Sequence, residues 1–110
     1  MKELGTEMIK LSLVYPADEG KKFDFDYYCT KHIPMVKTML GKVCKGITID
    51  QGICGASREL SPAYLMITGL IFESLGEMEA AMAEIGGDAM ADIKNFTDIQ
   101  PVVQVCQVRA

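Results

Sequence analysis

The sequence lacks the features that mark membrane-spanning, nucleic-acid-binding and disulfide-stabilised proteins. No apolar run reaches the roughly 18 residues that a bilayer-spanning helix needs, and residues 1–7 lack the apolar stretch of a signal peptide. Lysine and arginine form no stripe and the net charge is −4, so neither nucleic acid nor an anionic membrane surface is an expected partner. The four cysteines stand apart without a CxxC pair, which disfavours a redox or zinc site and is typical of a reducing cytoplasm.

Groups that carry familiar catalytic chemistry are also scarce. The chain has one histidine, no Gly-rich phosphate loop and no nucleotide fingerprint. One histidine and scattered carboxylates offer no metal-ligand spacing, so we expect no metal and no cofactor. A haem held by His32 alone stays open as an alternative.

The patterns that are present describe one small domain of strands and helices. The 110 residues are 49% hydrophobic and 24% charged, which suits a single globular core. We expect residues 1–7 to form a flexible leader and residues 8–110 to form the domain. Apolar and polar residues alternate in four stretches, which predicts strands over Met8–Tyr15, Lys45–Gln51, Ala63–Phe72 and Val102–Val108.

The first predicted helix lies between the first two strands. Asp24 is its expected N-cap, and an apolar stripe that includes Tyr28, Cys29 and His32 is expected to face the sheet. Pro34 removes a backbone donor inside this stretch. We therefore expect the helix to kink or divide just before that proline.

The second predicted helix lies between the third and fourth strands. Ser74 and Glu77 form a capping box at its start, and Gly86-Gly87 is expected to end it before a short helical piece. The resulting order is β-α-β-β-α-β, the ferredoxin-like plan of the α+β class. This plan predicts a four-stranded antiparallel sheet.

The third strand predicts an interface, because it is apolar on both faces while two helices can cover only one face of the sheet. One face carries Ile67 and Ile71, and the other carries Met66, Leu70 and Phe72. An exposed apolar face of this size usually marks a contact with another molecule. We expect a homodimer in which a second copy covers the open face and closes a dimeric α+β barrel around a cavity.

Several stretches resemble the EthD family of dimeric α+β barrel proteins. The longest reads FDFDYYCTKHIP over residues 23–34, with shorter matches at residues 8–10, 15–16, 50–52 and 91–101. The resemblance covers residues 8–110 and implies a ferredoxin-like protomer that pairs into a barrel. It also implies a link to the degradation of ethers and other xenobiotics. Related barrels act as cofactor-independent monooxygenases, polyketide cyclases, isomerases or haem-handling enzymes.

His32 is the residue best suited to chemistry, because it is the only side chain with an ordinary pKa near neutrality. It lies four residues from Tyr28 and is expected to face the sheet, where it could act as a general base. The alternatives are a pocket-lining role and a structural histidine satisfied by a carbonyl or a tyrosine hydroxyl. Tyr28 is the second catalytic candidate, and packing is its alternative role.

Four further residues are candidates for binding a ligand. Tyr64 and Met66 lie on a sheet face, where they could line a cavity or pack in the core. Asn95 and Thr97 belong to a polar group with Asp92 and Asp98, between apolar residues. Helix ending and turn formation explain this group, and a place at the rim of a pocket is the alternative.

These observations predict a cytoplasmic homodimer that binds a small apolar or aromatic molecule. If it is an enzyme, proton transfer by His32 would serve a cofactor-free oxidation, cyclisation or dehydration. The alternatives are a non-catalytic binding or accessory protein and a structural module with a filled core. An open cavity at His32 would favour the first two over the third.

Overall fold

A four-stranded antiparallel sheet forms the centre of the fold, as a computed structural model of residues 8–109 shows. The predicted leader over residues 1–7 lies outside the described residues. The strands are β1 (Ile9–Pro16), β2 (Gly46–Gln51), β3 (Tyr64–Phe72) and β4 (Val102–Gln107). They lie in the order β2-β3-β1-β4, which confirms the predicted ferredoxin-like α+β plan. Within residues 8–109, none of the helices combines the length and the apolar character needed to cross a bilayer.

The first helix is divided before Pro34, as predicted, and the break is a π-helical turn. A short α1 (Phe25–Tyr27) leads into the π segment (Tyr28–His32), and α2 (Ile33–Leu40) follows. Pro34 has no N–H to donate and its ring crowds the carbonyl four residues back, so the turn before it widens. The N–H of Ile33 accordingly bonds to the carbonyl of Tyr28, five residues earlier.

The buried face of this helix follows four-residue steps. Tyr28, His32, Val36 and Leu40 are buried against the sheet. Cys29 is exposed, so its predicted place in the buried stripe was wrong. The reason is geometric, because neighbouring helical residues point roughly 100° apart and Tyr28 occupies the inward position.

The second long helix, α3 (Leu75–Asp92), continues through Gly86-Gly87, so the predicted helix end was wrong. A glycine C-terminal cap needs a positive φ, and neither glycine has one. Ile85 is buried and Ala89 packs against the same core, so tertiary contacts on both sides of the pair hold the chain helical. The predicted Ser74 cap is confirmed, since its Oγ accepts a hydrogen bond of 3.1 Å from the N–H of Glu77.

Two buried clusters fill the space between helices and sheet. The aliphatic cluster joins both long helices to β1 and β3, with Phe72 fully buried at its centre. The aromatic cluster lies at the other end of the sheet and contains Tyr15, Tyr28 and Phe96. Its rings make edge and tilted contacts with centroids 4.7–5.9 Å apart, the geometry that aromatic pairs prefer. His32 lies at the boundary between the two clusters.

The sheet face away from the helices is apolar along one row. Ile67 lies directly opposite Val14, which lies directly opposite Val102 on β4. Ile67 is 42% exposed and Val102 is 54% exposed. The next row, across Gly69, carries Thr48, Ser12 and Gln104, so the open face is less uniformly apolar than the strand pattern predicted.

Candidate functional site

The centre of the candidate site is His32, held from one side by a carboxylate. The π segment turns the imidazole inward, and Nδ1 lies 2.8 Å from Oδ2 of Asp92 at the end of α3. Both side chains are nearly buried, with relative exposures of 7% and 13%. Because a carboxylate only accepts hydrogen bonds, this contact places the proton of a neutral imidazole on Nδ1.

Asp92 is itself held by two further donors. The Tyr27 hydroxyl and the Asn95 amide each donate to its Oδ1 over 2.8 Å. Burial opposes ionisation of this carboxyl, but the hydrogen bonds from Asn95, His32 and Tyr27 outweigh it, so the pKa of Asp92 lies below its ordinary value. Asp92 is therefore a charged and fixed acceptor beside His32 at neutral pH.

Tyr28 stacks on the His32 imidazole and keeps its phenol proton near neutral pH. The two ring centroids lie 5.3 Å apart with an interplanar angle of 22°, and the phenol shares a hydrogen bond with Oγ1 of Thr68 on β3. Burial is the main cause that raises the pKa of Tyr28 to about 12, partly offset by the hydrogen bonds from Thr68 and Tyr15. Tyr28 is therefore neutral near pH 7 and serves to hold the imidazole plane.

A narrow apolar cavity lies between the sheet and the two long helices, beside His32. Its volume is about 40 Å³, space for one or two water molecules. The wall from the sheet contains Leu13, Tyr15, Thr68 and Leu70; the walls from the helices contain Ile33, Val36, Met82, Gly86, Ala89, Met90 and Ile93. Tyr28 and His32 complete the lining, so the imidazole is the one titratable nitrogen of an otherwise apolar and hydroxyl-bearing wall.

The second imidazole nitrogen, Nε2, is available to a ligand. Among the residues that the structure describes, His32 bonds only through Nδ1, to Asp92. No side-chain nitrogen or oxygen sealed from solvent within this part of the chain lacks a hydrogen-bond partner. Nε2 is therefore not sealed from solvent, and the His32 side chain is part of the cavity lining.

The structure brings some of the predicted site residues together and separates others. His32 and Tyr28 line the cavity, and Asn95 reaches the site indirectly through Asp92. Met66 is buried in the aromatic cluster behind Tyr28. Tyr64 is 41% exposed and lies outside the cavity lining.

Thr97 is a structural anchor in this arrangement. Its hydroxyl donates to the carbonyl of Lys22 and accepts a hydrogen bond of 3.0 Å from the N–H of Ile99. Thr97 also pairs with Phe23 in a short β-bridge. These contacts fasten the segment before α1 to the segment before β4, on the outer side of the aromatic cluster.

Sequence reasoning missed the two residues that complete the site. Helix ending is the expected role of Asp92, with a place at a pocket rim as the alternative, and Thr68 is not among the candidates. A polar residue in the apolar run of β3 is a signal for Thr68, because buried hydroxyls need a partner. Asp92 had no such signal, since it lies 60 residues from His32 along the chain.

Metal binding has no support from geometry in the described part of the chain. Across residues 8–109, no three His, Cys, Asp or Glu side chains come together as a metal site. The four cysteines are free thiols.

The fold and the site define a class of proteins: ferredoxin-like α+β domains with an apolar cavity between helices and sheet, the fold of the dimeric α+β barrel proteins. A family model described as the EthD domain matches residues 18–100. The chain therefore belongs to the EthD domain family.

One solved structure supports this assignment, and two more distant ones share the fold. An EthD-like protein from Ralstonia eutropha is 39% identical, with a TM-score of 0.89 over 96% of this chain and 95% of that chain. An EthD family protein from Bacillus halodurans is 16% identical, with a TM-score of 0.66 over 93% of this chain and 99% of that chain. SnoaB from Streptomyces nogalater, described as a cofactor-independent oxygenase, is 6% identical, with a TM-score of 0.62 over 94% of this chain and 95% of that chain. A search of curated protein sequences returns no match.

Proposed function

We propose that the protein binds a small, mainly apolar or aromatic molecule beside His32 and removes a proton from it. The observation that carries this proposal is the imidazole itself, which bonds to Asp92 through Nδ1, makes no hydrogen bond through Nε2 within the described residues, and lines an apolar cavity. A histidine with both nitrogens satisfied internally would instead favour a structural role. The family assignment and the monooxygenase-like fold of the neighbours are consistent with chemistry on a small molecule.

The proton-transfer step follows from the arrangement of the ligand, the His32 imidazole and the Asp92 carboxylate. Nε2 takes a proton from an acidic C–H or O–H of the ligand, and the ligand keeps the electron pair as an enolate or phenolate. The imidazolium that forms is stabilised by the Asp92 carboxylate, which stays ionised because its pKa is lowered. The apolar walls exclude water, which strengthens this electrostatic contact. Such an anion is the common starting point for oxygenation by dioxygen, cyclisation or dehydration.

The size of the cavity supports a small ligand. Drug-sized ligands occupy pockets of roughly 300–1,000 Å³, far more than the about 40 Å³ found here. A small phenol or ketone needs the cavity to widen, and Met82 and Met90 are flexible side chains in its lining.

Deuterium exchange tests the proton-transfer step without knowledge of the later reaction. A panel of cyclic ketones and 1,3-diketones is incubated with the protein in deuterated buffer, and loss of the acidic C–H signal is followed by proton NMR. We expect the wild type to accelerate exchange of at least one panel member, and His32→Gln to lower that acceleration by roughly 10²–10⁴-fold. Asp92→Asn should lower it as well, because the imidazolium loses its counter-charge.

Two results would separate the alternatives. Equal exchange rates in the wild type and His32→Gln would sink the general-base proposal. Binding of panel members with no exchange in either protein would favour the accessory or binding function, which uses the same cavity without chemistry.

We also propose that a second copy of the chain covers the open sheet face. The apolar row of Ile67, Val14 and Val102 supports this assembly, since it is solvent-exposed in the single chain and continuous across three strands. A two-fold axis through this row would bring two such rows together and bury both.

A further inference from the structure

Gly86, in the middle of α3, lines the cavity beside His32 and is half-buried. A Cβ added at this position would meet no heavy atom within 4 Å, as at the exposed Gly87 outside the lining, so the space beside Gly86 is open. Of the residues that line the cavity, Gly86 alone has no side chain.

The conformational freedom of glycine does not explain the residue. Gly86 is inside α3 and its φ is not positive, so any L-amino acid could adopt this backbone conformation. Glycine weakens a helix interior relative to alanine. Gly86 therefore lowers the stability of α3 although the backbone conformation does not require a glycine. The other effect of the glycine is the open space that its missing side chain leaves.

The neighbours of Gly86 on the same helix face are large. Met82 and Met90 lie one helical turn before and one turn after it, and both line the cavity. Met90 is 50% exposed, so this part of the wall reaches the protein surface. Flexible methionines on both sides of a glycine form an opening that can widen when a ligand enters.

We propose that Gly86 is the specificity-determining residue of the site and forms its entrance. The inference rests on the proposed function, because it names the route by which a small molecule reaches Nε2 of His32. The ligand class follows from the walls: a flat or narrow apolar body with one polar group, such as a phenol, that can face the imidazole and the hydroxyls of Thr68 and Tyr28. A methyl group at position 86 would narrow the entrance, and a branched side chain would close it.

The competing route to His32 would enter beside Ile33, at the start of α2. Ile33 lines the His32 cavity and also a wider surface groove of about 410 Å³ between α2 and β2. Ile33 presents a branched side chain between these two spaces, whereas Gly86 presents none. The two routes predict different effects of substitution and can be separated by experiment.

Carbethoxylation of His32 by diethyl pyrocarbonate measures the opening directly. The reagent modifies an unprotonated imidazole nitrogen, and since the chain has one histidine, the ultraviolet signal of carbethoxyhistidine reports on His32 alone. Gly86→Ala and Gly86→Leu are compared with Gly87→Ala and Gly87→Leu. Gly87 is the matched control, because it is the next residue in the same helix and is exposed and outside the cavity lining. Ile33→Phe tests the competing route.

We expect Gly86→Leu to lower the modification rate strongly and Gly86→Ala to lower it less, while both Gly87 variants react like the wild type. Urea midpoints of all variants show whether a change in rate follows from a change in stability; both alanine variants should be more stable than the wild type. Equal rates in the Gly86 and Gly87 variants would overturn the inference, and so would a loss of reactivity confined to Ile33→Phe.

Binding of phenol, followed through the His32 ring signals in NMR spectra, separates this inference from the proposed function. If phenol binds, Gly86→Ala should weaken it by about tenfold, the usual effect of one methyl group in an apolar pocket, and Gly87→Ala should not. If no phenol or ketone binds to any variant, the proposed function fails, while the modification rates still decide whether Gly86 is the opening to His32.

Discussion

For single residues of the site, burial and hydrogen bonding together decide which side chains are charged. Asp92 is kept charged by the donors around it, whereas Tyr28 is kept neutral by its burial. The same imidazole therefore contacts a fixed anion through Nδ1 and a neutral ring through its face. The proton transfer proposed for His32 depends on this pairing, because the imidazolium would contact the Asp92 carboxylate.

The neutral Tyr28 predicts a loss of stability at alkaline pH. Because its pKa is raised from about 10 in the unfolded chain to about 12 in the fold, its contribution is complete below pH ~10 and is lost as pH rises towards ~12. Tyr28→Phe should abolish roughly 1–1.5 kcal/mol of this alkaline loss at pH ~11, about half of the roughly 2–3 kcal/mol that the whole shift is worth above pH ~12. At neutral pH the variant should be less stable by about 1–3 kcal/mol, because the buried Thr68 hydroxyl loses its partner.

Urea unfolding between neutral pH and pH ~11 measures both effects. Tyr64→Phe is the control, since this tyrosine is exposed and is not part of the aromatic cluster. An alkaline limb with the same slope in Tyr28→Phe and the wild type would contradict the role assigned to burial of Tyr28.

At the scale of secondary structure, the π segment is the element that builds the site. It places both Tyr28 and His32 on the buried face, and it begins directly after the capped α1. The Asp24 carboxylate accepts a hydrogen bond of 3.0 Å from the N–H of Tyr27, and its own N–H bonds to the carbonyl of Phe96. The cap thus joins the entry of the helix to the aromatic cluster.

Removal of this cap should destabilise the site more than removal of a neighbouring charge. Asp24→Ala should lower the free energy of unfolding by about 0.5–2 kcal/mol. Asp26→Ala, the matched control in the first turn, should cost about 0.3–1 kcal/mol through the helix dipole alone. Hydrogen exchange of the amides in the π segment should speed up in Asp24→Ala only. Equal exchange in the two variants would show that the cap does not hold this segment.

At the scale of the whole molecule, the two faces of the sheet have different roles. The helix-covered face carries both buried clusters and the cavity, and the open face carries the apolar row. Strand β4 is an edge strand whose valines are exposed on both faces, with Val103 at 48% and Val105 at 45% on the helix side. Both edges and the open face are therefore available to a second copy.

A charge placed in the apolar row should break the proposed dimer. Ile67→Lys puts a lysine at one end of the row, next to Asp50 on β2, where a partner's apolar row could not solvate it. We expect sedimentation to show a dimer for the wild type and a folded monomer for Ile67→Lys at micromolar concentration. Leu75→Lys is the control, because Leu75 is an exposed apolar residue on α3 rather than on the open face. A wild-type monomer under these conditions would contradict the assembly.

Local patterns in the sequence determined the order of the elements and several of their details. Alternation predicted all four strands within one or two residues, and the missing N–H of Pro34 predicted the break before α2. Asp24 and Ser74 were recognised as caps, because capping depends on residues only three positions apart. The glycine pair in α3 was misread for a related reason: local preference favours a helix end there, and only the core contacts on both sides override it.

The sequence by itself determined the fold class and singled out His32, since both depend on short-range periodicity and on residue chemistry. Only the tertiary structure decided what His32 faces. Asp92 reaches His32 from 60 residues away and Thr68 reaches Tyr28 from 40 residues away, and no local pattern records such contacts. The empty space at Gly86 is likewise a property of three packed elements together, because a cavity exists only where neighbouring surfaces fail to meet.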